Sequence, residues 1–146
     1  EQIARREENA AYLDKALEEF DFIKPMKQDP NITRNSYHLY LVRIDESKLG
    51  GVSRDRFAAA MEAEGVLLAA GYVPAYDFPC VSGDYATRCV GGKIDIKPNT
   101  PIADRLARRE ICWFYHAMLL GDKSDMDDIV GAIRKVYENL GELKGE

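Results

Sequence analysis

The sequence predicts an α+β fold, with a small, mainly antiparallel sheet of three to four strands and helices packed on one face. Segments with helical periodicity alternate along the chain with short apolar segments rich in aromatic and β-branched residues. The length of 146 residues suits about one domain. A parallel, doubly wound sheet fits less well, because the segment after the second predicted strand has no helical crossover pattern.

The first predicted helix covers residues 1–20, where apolar side chains recur at helical spacing and form one stripe. The stripe consists of Ile3, Ala10, Leu13, Leu17 and Phe20. A polar connection with two prolines follows, and proline cannot continue a helix. The clearest strand is predicted at residues 35–45, which hold aromatic and β-branched residues and no Gly or Pro. Both faces of this strand carry apolar groups, which predicts a central strand covered on both sides.

A second helix is predicted between Ser53, as its N-cap, and Gly65, as its C′ residue. Residues 66–70 predict a short buried strand. Residues 71–98 show little regular pattern and predict a long loop, which is uncommon in a compact domain unless it is functional. The aromatic residues of this loop indicate that it packs on another surface. They are Tyr72, Tyr76, Phe78 and Tyr85.

The last third of the chain predicts a helix, a strand and a helix. Thr100 and Pro101 have the residue types of an N-cap and a first helical position. Residues 111–116 predict a strand. Ser124 is the predicted N-cap of the closing helix, whose first turn is acidic, as the helix dipole favours, and Gly141 ends it.

Composition excludes several classes of protein. A net charge of −5 argues against nucleic acid or an anionic membrane as the main partner. The longest apolar run is residues 66–70, far short of the ~20 residues that span a bilayer. The first residues lack the apolar centre of a signal peptide. Three cysteines without zinc spacing predict reduced thiols and a cytoplasmic location.

Motifs for self-contained catalysis are missing from the sequence. It contains no dinucleotide-binding glycine motif, no P-loop, no H-E-x-x-H and no G-x-S-x-G. The two histidines are too few for a His-rich metal site, and a Cys–His dyad stays open without any spacing that favours it. The acids at 125–128 are explained by a helix N-terminus better than by a metal site. We therefore predict no catalytic and no metal-binding residues, and a binding or accessory domain.

Several segments resemble the DegT/DnrJ-type aminotransferases in order and spacing. NSYHLYLVRI at 35–44 resembles the strand that opens their C-terminal domain, and SRDRFAAAMEAEG at 53–65 resembles the helix that follows. GYVPAY at 71–76 stands where the family commonly has H-Y-x-P-L-H. PIADRLARR at 101–109 and DMDDIVGAIRKV at 125–136 resemble its closing elements. Asn9 and Ala10 fit the R-x-x-N-A-x-x-L stretch that links the two domains of these enzymes.

The resemblance implies a small C-terminal domain of a pyridoxal-phosphate (PLP) dependent aminotransferase. Residues 1–23 are then the linking helix and 35–146 the small domain, while the large PLP-binding domain lies outside this chain. That N-terminal PLP domain is the implied partner, in a homodimer when full length. We expect the apolar stripe of the linking helix to be exposed without it. The aldimine lysine belongs to the large domain. None of the nine lysines here has its sequence setting, although Lys93 and Lys97 come nearest.

The resemblance also implies a small-molecule acceptor, a keto sugar or a cyclitol. Gly71 and Tyr76 stand where many sugar-modifying members have histidines, and LLGDKSDMDDI at 119–129 resembles the 3-amino-5-hydroxybenzoate-synthase-like and aminocyclitol branches. The predicted substrate-binding residues are Tyr76, Tyr72 and His38, since a phenol can bond a hydroxyl and stack on a carbon face. Simple packing is the alternative for each. The alternative function is a stand-alone ligand-binding or protein-interaction module without PLP.

Overall fold

The structure is a computed structural model that describes residues 1–82, 84–92 and 99–144. Its strands are β1 (Ile23–Pro25), β2 (Leu39–Ile44), β3 (Ala69–Ala70) and β4 (Ile111–Tyr115). Its helices are α1 (Gln2–Ala16), α2 (Arg54–Ala63), α3 (Pro79–Ser82), α4 (Asp84–Val90), α5 (Pro101–Arg105) and α6 (Lys123–Glu138). In the described ranges, no helix is both long and apolar enough to cross a membrane.

The four strands form one antiparallel sheet in the order β1-β2-β4-β3. In the central pair, Leu39 faces Tyr115 and Val42 faces Cys112. The short edge strand β3 pairs Ala69 with Trp113. This sheet confirms the predicted α+β class. The sequence did not reveal β1, because it is short and contains Pro25, a residue that only an edge strand accommodates.

One face of the sheet carries the core. Side chains that alternate along β2 and β4 are buried there against α1, α2 and α6. These sheet residues are Tyr40, Val42, Ile44, Cys112 and Phe114. On the opposite face, hereafter the outer face, Leu39 and Leu41 are only half-buried and Arg43 is exposed. The expectation that β2 is covered on both sides was therefore wrong for the outer face, because the three long helices all lie on the other side.

The apolar stripe of α1 is buried within this chain, so the expectation of an exposed stripe was wrong. Leu13 and Leu17 are fully buried, because α1 packs on α6 and on the segment after β4. The buried Asn9 amide donates to the carbonyl oxygens of Leu119 and Gly121, each at 2.9 Å. The helix also ends earlier than residue 20 or 23, at Ala16, and a 3-10 turn leads toward β1.

Helix ends follow local chemistry, with corrections at both ends of α6, which finishes at Glu138 with Asn139 as its C-cap and not at Gly141. Ser53 accepts from the Arg56 N–H at 3.2 Å, and Gly65 has a φ of +86°, so the predicted ends of α2 are confirmed. The N-cap of α6 is Asp122, not Ser124. Its carboxylate accepts from the Ser124 N–H at 2.9 Å and the Asp125 N–H at 3.2 Å. The Asp125 carboxylate accepts in return from the Asp122 N–H at 2.7 Å, a complete capping box.

Two strands are shorter than predicted, and the long loop contains helices. The strand expected from residue 35 begins at Leu39, because Asn35 accepts from the Tyr37 N–H and Tyr37 adopts a φ of +46°. The strand expected at 66–70 is only Ala69–Ala70. Within 71–98, α3 and α4 are helical, and their shortness explains the weak periodicity. Residues 93–98, with Lys93 and Lys97, lie outside the described residues.

Candidate functional site

The segment that follows β3 leaves the sheet beside α5 and the π-helical turn Leu106–Glu110. The Gly71 N–H donates to the Ile111 carbonyl at 3.0 Å, which holds the start of the segment on β4. A Cβ at residue 71 would collide with the Ala107 carbonyl oxygen and the Arg54 guanidinium. Gly71 is therefore required by the close approach of this turn, and a histidine would not fit here without moving it.

Tyr72 covers the outer face of the sheet at Trp113. The two rings stack with centroids 4.7 Å apart and an interplanar angle of 17°. Trp113 is only 7% exposed, whereas Tyr72 is 60% exposed. One face of the phenol ring thus rests on the indole and leaves much of Tyr72 open to solvent. An exposed aromatic face can stack on the C–H face of a carbocycle or a sugar.

Tyr76 lies in a 3-10 turn, Ala75–Asp77, and is half-buried. Its hydroxyl donates to the carboxylate of Asp104, which lies on α5. This bond joins the segment after β3 to a helix 28 residues further along the chain. The hydroxyl that the sequence analysis assigned to substrate is thus already engaged by a carboxylate of the same chain.

Arg108 closes a small network around Tyr76. Its guanidinium lies 2.5 Å from the Asp77 carboxylate and 3.5 Å from that of Asp104. Hydrogen bonds with Asp77 and then Tyr76 raise the pKa of Arg108. We call Tyr76, Asp77, Asp104 and Arg108 the tyrosine latch. It holds the turn after β3 against α5 and the π-helical turn.

An open groove of about 460 Å³ adjoins the tyrosine latch. It is lined by Pro101, Asp104, Arg105, Arg108 and Arg109. Arg105 is paired with Glu110 at 2.9 Å, and Glu110 also pairs with Arg43 at 2.6 Å across the outer face. The groove is therefore polar, and the charges at its wall are largely balanced.

His38 lies away from the two tyrosines. It is exposed just before β2, and its ring stacks on that of His116, with centroids 5.7 Å apart. Gly71 is bonded to Ile111 at the start of β4, five residues before His116, and at a rise of about 3.3 Å per residue these two positions are about 16 Å apart. The structure brings Tyr72 and Tyr76 together on one segment and leaves His38 at the opposite end of the strand.

PLP, the cofactor that the resemblance implies, requires two particular groups from the protein that holds it. The cofactor needs a lysine for its Schiff base and an acidic partner for the pyridine nitrogen. The seven lysines in the described ranges are all exposed. Two of them form ion pairs, Lys48 with Asp21 at 3.0 Å and Lys135 with Glu64 at 2.6 Å.

Within the described part of the chain, no group of three or more His, Cys, Asp or Glu side chains is placed so that it could hold a metal ion.

Sequence reasoning missed the residues that hold the site segment in place. Asp104 and Arg108 are four residues apart around α5, the spacing of neighbouring charges on a helix, and this was an available signal. Trp113, the only tryptophan of the chain, was read as part of a strand alone. Nothing in the sequence around Arg54 indicates that this arginine is buried. In the structure it is only 5% exposed, and its guanidinium donates to the carbonyls of Ala107 at 2.9 Å and Ile111 at 3.2 Å.

The DegT/DnrJ/EryC1/StrS aminotransferase family profile matches residues 1–134. The L-glutamine:2-deoxy-scyllo-inosose aminotransferase of Streptomyces paromomycinus is 35% identical, over 99% of this chain and 35% of that protein. The enzyme of the same name from Micromonospora echinospora is 34% identical, over 99% and 35%. The crystal structure of 3-amino-5-hydroxybenzoic acid synthase matches with a TM-score of 0.70 at 20% identity, over 94% and 35%. The chain thus spans about a third of the length of these relatives.

Proposed function

Since this chain belongs to the DegT/DnrJ/EryC1/StrS aminotransferase family, we propose that it is the C-terminal small domain of an aminotransferase for a cyclitol ketone. The observation that carries the proposal is the identity of 34–35% over nearly the whole chain to two enzymes named for 2-deoxy-scyllo-inosose. A keto sugar is the second acceptor class, because a protein with a similar fold, CalS13 of Micromonospora echinospora, is named as a sugar aminotransferase. No specific observation favours a stand-alone module.

The family implies PLP in the full-length protein, where it acts as the electron sink for amino transfer. The lysines in the described ranges of this chain are all exposed, so none of them is a buried lysine for the Schiff base. The contribution of this chain is therefore to bind and orient the acceptor and to exclude water from one side of it. We extend the proposal to an N-terminal PLP domain as partner and to a homodimer.

Tyr72 and Tyr76 are the residues proposed to contact the acceptor. The stacked pair of Tyr72 and Trp113 offers an aromatic surface to the carbon face of a six-membered ring. The hydroxyl of Tyr76 offers a hydrogen bond to a ring substituent. His38 remains a separate proposal, because it would reach an acceptor only from the other end of β4.

The outer face of the sheet holds a buried donor that a further contact would satisfy. The indole N–H of Trp113 is buried and has no hydrogen-bond partner in the described ranges. A buried donor without a partner costs free energy, so a carbonyl or carboxylate from elsewhere in the full-length protein would stabilise it.

The test is kinetic and uses the full-length protein with L-glutamine and 2-deoxy-scyllo-inosose. Replacing Tyr72 with Ala removes the aromatic surface, and we expect kcat/KM for the acceptor to fall about tenfold or more, since aromatic stacking contributes about 1 kcal/mol beyond area burial. The half-reaction with L-glutamine should change less. Tyr72→Phe keeps the ring and serves as the matched control. Absence of amino transfer to both cyclitol and keto sugar acceptors would overturn the proposed function.

A second experiment tests the supporting role on the 146-residue chain itself. Borohydride reduction in the presence of PLP should leave no stoichiometric label on a single lysine. Specific labelling of Lys93 or Lys97 would contradict the assignment of the aldimine lysine to another domain.

A further inference from the structure

The tyrosine latch determines what the Tyr76 hydroxyl can recognise. A phenol has one proton to donate and two lone pairs that accept. In this structure the proton is directed at the Asp104 carboxylate. The oxygen is therefore left with acceptor capacity only, and it already accepts one hydrogen bond from the Arg108 guanidinium, which leaves one lone pair for a ligand. A ligand group that meets this oxygen has to bring a proton of its own, as a hydroxyl or an ammonium does.

The position of Tyr76 is set by the same groups. Arg108 bridges Asp77, which is on the turn with Tyr76, and Asp104, which is on α5. Two backbone bonds shape the turn itself, from the Asp77 N–H to the Pro74 carbonyl at 2.9 Å and from the Phe78 N–H to the Ala75 carbonyl at 3.3 Å. The turn has little apolar burial of its own, since Val73 and Phe78 are 55% and 46% exposed. Polar contacts across to α5 thus take the place of a hydrophobic core here.

We propose that Asp104 is a positioning residue that makes Tyr76 a specific acceptor for a hydroxyl or ammonium group of the substrate. The part that concerns substrate rests on the proposed function. Asp104 acts through Tyr76 in two ways: it takes the phenol proton, and together with Arg108 it fixes the turn. A polyhydroxylated ring satisfies such an acceptor, whereas a carbonyl or carboxylate placed there leaves two acceptors facing each other.

The structural half of the proposal is tested on the 146-residue chain by hydrogen exchange at the Asp77 amide. We expect Tyr76→Phe and Asp104→Ala each to speed exchange about tenfold, because either change breaks the contact that holds the turn. The double variant should exchange no faster than Asp104→Ala alone, because that variant has already lost the contact with the Tyr76 hydroxyl. If the two substitutions sped exchange of the Asp77 amide additively, or did not speed it, the proposed role of the tyrosine latch would be wrong.

The control for this experiment is a second tyrosine–aspartate pair on the other side of the molecule. The Tyr12 hydroxyl on α1 donates to the Asp127 carboxylate on α6. Asp127→Ala removes the same kind of contact, and exchange at Asp77 should then stay as in the unmodified chain.

The substrate half is tested in the full-length protein with 2-deoxy-scyllo-inosose. Asp104→Ala should raise the KM of the acceptor about tenfold and leave the L-glutamine half-reaction unchanged. Asp104→Asn should recover most of the loss, because its amide oxygen still accepts the phenol proton, and Asp127→Ala should have no effect. If Asp104→Ala still transfers the amino group and its KM for the acceptor is unchanged, the inference is overturned and the proposed function is not. A protein with no amino transfer at all would instead overturn the proposed function, and the exchange result would stand by itself.

Discussion

The two faces of the sheet are held by different forces. On the helix-covered face, β2 and β4 bury side chains such as Val42 and Phe114, which are fully inaccessible. On the outer face, the segment after β3 is held by one aromatic stack and by the charged and polar contacts of the tyrosine latch. Apolar burial dominates folding free energy, whereas exposed ion pairs contribute about 0–1 kcal/mol each. The first face therefore contributes most of the stability of the fold, and the second contributes less.

Two buried polar side chains join these regions to the connections around them. Asn9 fixes α1 to the segment after β4, and Arg54 fixes α2 to the π-helical turn beside the candidate site. Asn9 donates to the carbonyls of Leu119 and Gly121, and Arg54 donates to those of Ala107 and Ile111, so each side chain joins segments that are distant along the chain. The helices are thus joined to the candidate site by hydrogen bonds to backbone, in addition to the stack of Tyr72 on Trp113.

The largest effect is expected for truncation on the helix-covered face. Phe114→Ala should lower the free energy of unfolding by about 3–5 kcal/mol, because it leaves a cavity among fully packed neighbours. Tyr72→Ala removes an aromatic ring from the outer face and should cost only about 1 kcal/mol. Urea unfolding of the two variants measures both values. Equal losses would remove the distinction between the two faces.

A smaller effect is expected when Asn9 is changed. Asn9→Ala leaves two carbonyls without their donor, at a cost of about 1–3 kcal/mol in the free energy of unfolding. Asn9→Asp should cost more, because a carboxylate cannot donate to a carbonyl and brings a buried charge. Thermal and urea unfolding give the comparison, with the exposed Asn31→Ala as a control near zero. If Asn9→Asp were as stable as the unmodified chain, the amide would not be a link between elements.

Glycine-to-alanine substitutions should change the free energy of unfolding in opposite directions beside the candidate site and in the helix α6. Gly71→Ala forces a Cβ toward the Ala107 carbonyl and should destabilise by about 1–3 kcal/mol. Gly131→Ala lies within α6, where a new Cβ meets nothing within 4 Å, and should stabilise by up to about 1 kcal/mol. Denaturant midpoints of the two variants should move in opposite directions. A neutral Gly71→Ala would show that the π-helical turn adjusts freely.

The smallest effect concerns the cysteines. Burial raises the pKa of the Cys112 thiol from 9.0 to about 12, whereas Cys80 and Cys89 are exposed. A thiol reagent at pH 8 should therefore modify two cysteines in the folded chain and the third only after unfolding. Because the folded pKa lies above the unfolded one, the contribution of Cys112 to stability is present below pH 9. It is lost as the pH rises toward about 12, so Cys112→Ala should reduce alkaline destabilisation. Modification of all three thiols in the folded chain would contradict this burial.

Local chemistry made several elements predictable. The cap residue Ser53 and the left-handed Gly65 bound α2 where the sequence places them, and the strand at 111–115 follows from its aromatic and β-branched residues. The N-cap of α6 is Asp122 and not Ser124, because the Asp122 carboxylate accepts from the Ser124 N–H and the Ser124 hydroxyl itself donates to that carboxylate at 2.7 Å. Two cap-forming residues so close together leave the start of the helix undecided in the sequence pattern.

The candidate site was predictable in its tyrosines but not in their surroundings. Tyr72 and Tyr76 stood out as aromatic residues in a segment without regular pattern. Their partners Trp113 and Asp104 lie 41 and 28 residues away along the chain, and nothing local to either tyrosine indicates them. The same holds for the pair of His38 and His116, which only the antiparallel register of β2 and β4 brings together.

The sequence by itself determined the α+β class, the amphipathic helices and the family resemblance, because periodicity, caps and motif order are properties of neighbouring residues. Only the tertiary structure decided that the apolar stripe of α1 is buried by other elements of this chain, that Gly71 admits no side chain, and that the Tyr76 proton is directed at Asp104. These outcomes depend on which surfaces meet after the sheet has formed. The physical reason is that burial and hydrogen-bond direction belong to pairs of residues distant in the chain, and their pairing is set by packing as a whole.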